Sequence, residues 1–341
     1  MTELRWALAD REQDQGTLFD EPVFEREPGR GEFRGFEFLH VRSRRIINEV
    51  KGAPFGFRWT INAYRGCSHA CTYCFARPTH TYLGLDAGRD FERRIVVKTN
   101  AVALLRRELA PRRWAGDAIA MGTNTDPYQR AEGKYRLTRG LVEVLTELGN
   151  PFSILTKSTL VLRDLDLLAD AAQRGDVRVA LSIGTLDEDV WRATEPGTPH
   201  PRQRVRAIEQ LNAAGIPTGV LIGPVLPELS DRPDQLDAVV KACLDAGARS
   251  VSTVLLHLRP GVGDVFFDHL ATTHGHLVES YRRRYRNRTY APKAEQQALH
   301  ALVDSLVRRH GGTRDGPGLR SERATPASPP AAPGTQLSLL P

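Results

Sequence analysis

The chain has 341 residues, 40% of them hydrophobic, with four cysteines and a formal charge of +6. That apolar share supports a substantial core, and the length suits one large α/β domain or two smaller ones. So few cysteines exclude a disulfide-stapled scaffold, and no apolar run reaches the length of a membrane span. The charged first eleven residues lack the apolar stretch of a signal peptide. The expectation is a cytoplasmic protein, off the membrane, whose arginine-borne positive charge leans towards a polyanionic partner.

In chain order, residues 1–50 are polar, hold the arginines Arg42, Arg44 and Arg45, and read as a partly disordered N-terminal extension. A strand expected over 57–64 leads into Cys67-Ser68-His69-Ala70-Cys71-Thr72-Tyr73-Cys74. Three thiolates separated by three residues and then by two can grip three irons of a [4Fe–4S] cube. A cube normally takes four protein ligands, so a three-cysteine loop leaves one iron open for a substrate. The rival is zinc, with His69 or His80 completing a Cys₃His tetrahedron. The thiols alone leave both readings open.

Beyond the loop the sequence alternates. Helical periodicity over 100–109 precedes a short buried strand at 117–121 and the loop Gly122-Thr123-Asn124-Thr125-Asp126-Pro127-Tyr128. Helices are then expected at 138–148, 164–174, 202–214 and 233–246, and strands at 152–156, 177–183, 218–222 and 250–256. Glycines at 149, 175, 215 and 247 mark the helix ends. Six strands alternating with helices predict a parallel sheet with right-handed crossovers. Cys67–Cys74, Thr123–Asp126, Lys157, Ser182, Pro224 and His257 each follow a predicted strand. Polar residues at every strand end favour a partial (β/α)6 TIM-like barrel over a doubly wound sheet with one switch point. The barrel is expected over 51–260, a helical C-terminal extension over 261–311 and a disordered, Pro/Gly/Ala/Ser-rich tail over 312–341.

Two further segments have competing readings. Cys243 lies where apolar residues recur at three and four positions, and is read as core rather than as a ligand. The stretch Tyr281-Arg-Arg-Arg-Tyr285-Arg-Asn-Arg-Thr-Tyr290 is basic with interleaved aromatics. It suits phosphate contacts with base stacking, or a helix with tyrosines inward and arginines solvated.

The cysteine loop, placed after the first strand of a six-strand α/β core, resembles the radical S-adenosylmethionine (SAM) superfamily. Gly122 to Glu132, Ile154-Leu-Thr-Lys157-Ser, Leu181-Ser182-Ile and Glu195-Pro196 resemble its spore photoproduct lyase-like (DNA repair photolyase-like) subfamily, over about residues 35–300. The resemblance implies a [4Fe–4S] cluster on Cys67, Cys71 and Cys74 that chelates SAM through its unique iron. Reductive cleavage would then give a 5′-deoxyadenosyl radical that abstracts hydrogen from a substrate, in a deep and mostly dry site. A low-potential donor of flavodoxin or ferredoxin type would supply the electron. Lys157 is then expected to pair with the methionine carboxylate, its alternative being a surface lysine. Ser182 would donate to the same carboxylate, or be an ordinary strand-end serine. Tyr73 is expected near the adenine, and Thr123 and Asn124 at the amino group or ribose. Asp126 is read as organising the turn before Pro127. His257 and Arg259 are candidates for substrate contact, the alternative for His257 being a structural histidine at a strand end.

The chain departs from that subfamily at two places. A cysteine ahead of the Thr-Asp motif is replaced by Gly122-Thr123-Asn124, and a tyrosine after the last cluster cysteine by Phe75. Both hydrogen-relay residues are missing, which separates this chain from repair of the spore photoproduct itself. The end, Gln336-Leu337-Ser338-Leu339-Leu340, resembles the peptide by which bacterial repair proteins hold the DNA sliding clamp; Gln15-Gly-Thr-Leu18-Phe19 has a similar outline. The leading expectation is a radical SAM enzyme acting on nucleic acid, DNA favoured. The alternatives are a radical SAM tailoring enzyme for a protein, cofactor or metabolite, and a non-enzymatic zinc protein that binds nucleic acid.

Overall fold

The computed structural model describes residues 25–50, 57–110, 114–286 and 288–313. Eleven strands are found among them: β1 (Glu25–Pro28), β2 (Glu37–Val41), β3 (Ile47–Glu49), β4 (Trp59–Ile61), β5 (Tyr64–Arg65), β6 (Arg94–Lys98), β7 (Ile119–Met121), β8 (Phe152–Thr156), β9 (Val177–Ser182), β10 (Thr218–Val225) and β11 (Ser250–Leu255). They form two sheets.

The larger sheet has the order β11-β10-β9-β8-β7-β4-β3. Strands β4, β7, β8, β9, β10 and β11 run parallel, and β3 closes one edge antiparallel to β4. These six are the predicted strands. Their spatial order follows the chain without reversal, so no switch point exists and each crossover moves the same way along the sheet. That is an α/β parallel sheet wound in one direction, as a partial TIM-like barrel requires. Each crossover contains a helix: Ala101–Glu108, Leu137–Glu147, Leu165–Gln173, Pro201–Ala213 and Pro233–Asp245. Strand faces alternate accordingly. Val177, Val179 and Leu181 of β9 are fully buried, while Arg178 and Ala180 between them are only half-buried. The first set joins the main core with Ile154, Val220 and Ile222.

The smaller sheet, β1-β2-β6-β5, was not anticipated. It corrects two expectations. The predicted strand over 57–64 is broken: β4 pairs with β7 in the large sheet, and after Asn62-Ala63 the chain changes partner, β5 pairing antiparallel with β6. Tyr64 drives the break, since its ring is buried and its hydroxyl donates to Glu132 Oε2 at 2.5 Å. The extension expected over 1–50 is, from Glu25 onward, part of both sheets, β2 pairing with β6 and β3 with β4. Residues 1–24 lie outside the described residues, as do both clamp-like peptides and all but the first two residues of the expected tail.

After β11 come helices Gly263–Thr273, Val278–Tyr285 and Lys293–Arg309. The last buries Leu299, Val303, Leu306 and Val307 against helix Pro233–Asp245 and β11. Tyr281 and Tyr285 point inward, donating to Pro227 O and, at 2.8 Å, to Leu256 O. For these two tyrosines the amphipathic-helix reading holds. Cys243 is fully buried in helix Pro233–Asp245, its thiol pushed up to about 12 by burial, so it is a core residue as expected. No helix among the described residues is long and apolar enough to cross a membrane.

Candidate active site

The cysteine loop hangs from the point where the two sheets part. Cys67 and Cys71 are buried, Cys74 is half-buried, and none is in a disulfide. The loop's backbone is tied down from every side. Cys67 N donates to Phe91 O at 2.9 Å. Gly66 O accepts from Thr125 Oγ1 (2.7 Å) and Gln129 Nε2 (2.9 Å), and Gln129 Oε1 accepts from Ser68 N at 3.0 Å. Fully buried Arg77 grips Cys71 O with Nε at 3.1 Å and a terminal nitrogen at 2.9 Å, and pairs with Glu92 at 2.5 Å. Across the loop, Thr72 N donates to Thr194 O and Gly197 N to His69 O, both at 3.0 Å. A Cβ at Gly197 would lie 2.2 Å from Ser68 O, so only glycine permits this approach.

The donor set, three thiols on one loop, fits the three protein ligands of a cluster with one open iron. Burial pushes all three thiols up, and Cys67 is pushed further by Asp126, Cys71 and Cys74, which places the sulfurs within electrostatic reach of one another. Such thiols become thiolates only when a metal centre takes them. Among the described residues, no three His, Cys, Asp or Glu side chains gather as they would round a single ion. Each of the two histidines named for a zinc site uses one ring nitrogen on a protein oxygen, and His80 Nδ1 is buried with no partner. His69 Nδ1 lies 3.3 Å from Asp126 Oδ2, and His80 Nε2 donates to Arg94 O at 2.9 Å.

Beside the loop lies a buried charge network. Lys157, just past β8, donates to Ser182 Oγ (2.6 Å) and Gly223 O (3.2 Å), and pairs with Glu195 Oε1 at 3.1 Å. Its ammonium sits 5.7 Å from the centre of the Tyr73 ring, and Tyr73 donates its hydroxyl proton to Glu195. Glu195 Oε2 pairs with fully buried Arg204 at 2.5 Å. Burial alone would raise the Glu195 carboxyl, but Arg204 and Lys157 outweigh it and hold it well below the usual range. Arg204 also donates to Ser182 O at 2.9 Å. Three of the predicted site residues, Tyr73, Lys157 and Ser182, are therefore brought together.

Thr123 and Asn124 sit on the neighbouring strand end, both half-buried. Buried Asn62, past the end of β4, donates to Thr123 Oγ1 (3.4 Å) and accepts from Asn124 N (3.2 Å). Asp126 does more than organise a turn. Its oxygens accept from Tyr128 N (2.9 Å), Thr156 Oγ1 (2.6 Å) and Lys157 N (2.8 Å). With His69 on its other side, it links the end of β8 to the cysteine loop. Gly122 has φ +92°, and a Cβ there would fall 2.0 Å from Leu155 O. A side chain at Gly122 therefore has no room in the fold.

On the Cys74 side a tier of rings builds outward. Phe75 lies against His257 (centroids 5.9 Å, 35°), which stacks on Tyr290 (5.5 Å, 25°). The Arg259 guanidinium covers Phe75 at 5.6 Å. Burial, and then Arg259, lower the His257 pKa to about 4, so its ring is neutral near pH 7.

Residues 61–243 match the model of the radical SAM superfamily. The chain belongs to that family. An uncharacterized protein of Mycobacterium tuberculosis is 42% identical over 311 residues, covering 91% of this chain and 88% of that protein. One from Methanocaldococcus jannaschii is 30% identical over 195 residues, 57% of this chain and 70% of that protein. Among solved structures, spore photoproduct lyase with bound AdoMet and dinucleoside spore photoproduct superposes with TM-score 0.59, over 81% of this chain and 80% of that chain at 18% identity. A variant with dinucleoside spore photoproduct gives 0.61, over 92% and 94% at 17%. That likeness is one of fold. The chain is a radical SAM enzyme, and membership of the family implies SAM and a [4Fe–4S] cluster.

Sequence reasoning did not single out Asn62, Arg77 or Arg204, and took Gln129 and Glu195 only as parts of a resemblance. Arg204 did leave a trace. It falls on the stripe Pro201, Arg204, Ile208, Leu211 that its helix buries, where an apolar residue is the norm.

Proposed function

We propose that this radical SAM enzyme holds a [4Fe–4S] cluster on Cys67, Cys71 and Cys74, cleaves SAM reductively, and abstracts hydrogen from a nucleic acid, DNA favoured. What supports the cofactor part is the meeting of Lys157, Ser182 and Tyr73, past the strand ends of the parallel sheet, with the loop that carries Cys67, Cys71 and Cys74. When bound, the cluster and SAM supply the 5′-deoxyadenosyl radical.

The chain's own residues then have the following work. Lys157 and Ser182 receive the methionine carboxylate. All three ammonium hydrogens of Lys157 already have acceptors, so binding exchanges one of them, most cheaply the 3.2 Å bond to Gly223 O. Glu195 stays as the counter-charge of Arg204. Tyr73, fixed by Glu195, packs near the adenine, and Thr123 and Asn124, oriented by Asn62, face the amino group or ribose.

The nucleic-acid part draws on the +6 charge and on the solved fold relatives that hold a dinucleoside photoproduct. Reversal of the spore photoproduct itself is not proposed, because Gly122-Thr123-Asn124 holds no cysteine and Phe75 has no hydroxyl. A low-potential flavodoxin- or ferredoxin-type donor would feed the cluster in the cytoplasm. The terminal peptide Gln336 to Leu340 would tether the enzyme to a sliding clamp, an affinity that deletion of 336–341 should abolish.

The deciding experiment is anaerobic incubation of the reconstituted enzyme with SAM, dithionite and deuterated DNA. Deuterium in the 5′-deoxyadenosine supports the proposal. Unlabelled 5′-deoxyadenosine formed at the same rate with and without DNA would overturn the substrate assignment.

A further inference from the structure

The tier of rings beside Cys74 is continuous with an unneutralised basic segment. Tyr290 is fixed in place by its backbone: it forms an antiparallel bridge with His257, and Leu258 N donates to Thr289 O at 2.8 Å. The residue is nevertheless 37% exposed, one of three large apolar residues so placed among the described residues. Just before it, Arg282, Arg283, Arg286 and Arg288 are exposed, and none makes an ion pair among the described residues. Arg284, in contrast, is neutralised by Glu228 and Glu295 at 2.9 and 2.7 Å. Arginines serving only solubility would sit equally well beside carboxylates, as Arg284 does. Here four arginines without an ion pair, of which only Arg283 feels the field of Glu228, lead to the partly exposed Tyr290, which stacks on His257, itself tilted against Phe75 beside Cys74.

We infer that Tyr290, backed by His257 and Phe75, is a stacking platform for an unpaired nucleobase, with Arg286 and Arg288 holding the adjoining phosphates. This deepens and rests on the nucleic-acid reading above, naming the substrate form as single-stranded or extruded rather than paired. The physical logic is that a flat neutral ring stack accepts any base face, while exposed guanidiniums track the backbone. A stacked base cannot remain paired in a duplex, and an extruded one is brought towards the cluster loop.

The test uses the purified full chain, kept anaerobic, and fluorescence anisotropy with two single-stranded 12-nucleotide probes, one base-bearing and one abasic throughout. The wild type should prefer the base-bearing probe by roughly 5- to 100-fold. Tyr290→Phe should keep that preference and Tyr290→Leu should lose most of it. Arg286→Ala/Arg288→Ala should weaken both probes alike and lower the salt slope by about 1.4, from two phosphate contacts at about 0.7 each. If the wild type binds both probes and Tyr290→Leu, folded by circular dichroism, keeps its base preference, the platform is wrong while the nucleic-acid reading stands. If the wild type binds neither probe at low salt, both fall.

Discussion

Lys157 Nζ and Glu195 Oε1 stand 3.1 Å apart with their side chains 13% and 5% exposed, and the other oxygen of Glu195 holds fully buried Arg204. One buried carboxylate thus balances two cations from two different elements. Replacing Glu195 by alanine leaves both uncompensated, and breaking such a pair costs about 3–5 kcal/mol. Glu195→Ala should therefore shift the urea midpoint strongly. Glu195→Gln, which can still accept from Tyr73, should shift it less. Equal losses in the two variants would contradict a role based on charge.

The three loop cysteines and Cys243 should separate cleanly. Single alanine replacements of Cys67, Cys71 or Cys74 should abolish the absorption near 400 nm after anaerobic reconstitution and lower bound iron. Cys243→Ala should retain both. A cluster that persisted at full occupancy in Cys71→Ala would remove that residue from the ligand set.

Lys157→Met is expected to weaken SAM binding about 10- to 100-fold, the worth of a lost charge-assisted hydrogen bond, as read by equilibrium dialysis. Iron content should be unchanged. Unaltered SAM affinity would make Lys157 purely a partner of Glu195.

His257 gives a pH signature. Its folded pKa is lowered to about 4, first by burial and then by Arg259, from an ordinary 6.5. Below pH 6.5 the unfolded chain takes up a proton that the folded chain refuses until about pH 4. Its contribution to stability is whole above 6.5 and is lost between 6.5 and 4. Urea unfolding across that window should fall less steeply for His257→Phe than for the wild type. Parallel curves would refute the lowered pKa.

Gly122→Ala forces a Cβ to within 2.0 Å of Leu155 O at a φ of +92°. Overpacking and backbone strain together should cost about 2–4 kcal/mol, visible in thermal unfolding. A neutral result would mean that β7 and β8 separate at this point more easily than their register allows.

The six parallel strands were legible because each is a short buried apolar run between helical periods and glycines. Lys157, Ser182 and the cysteines were legible by position, as polar residues following such runs. The small sheet was not. β1 is Glu25-Arg-Glu-Pro28, mostly exposed, and its strand character comes from pairing with β2 rather than from its own sequence. Arg77 and Arg204 escaped because buried polar side chains look like surface residues until their partners are known. Those partners lie in other elements: Arg77 reaches the carbonyl of Cys71, and Arg204 reaches Glu195 from the next helix.

The change of sheet at Asn62-Ala63 has a mechanical meaning. Trp59–Ile61 is laced to β7 and Tyr64–Arg65 to β6, so the segment entering the cysteine loop is moored to two separate ladders. Fraying of either one leaves the other intact, and the sulfurs keep their station. Amide exchange at Cys67, whose N–H is closed by Phe91 O, should consequently report global unfolding rather than breathing of either sheet alone.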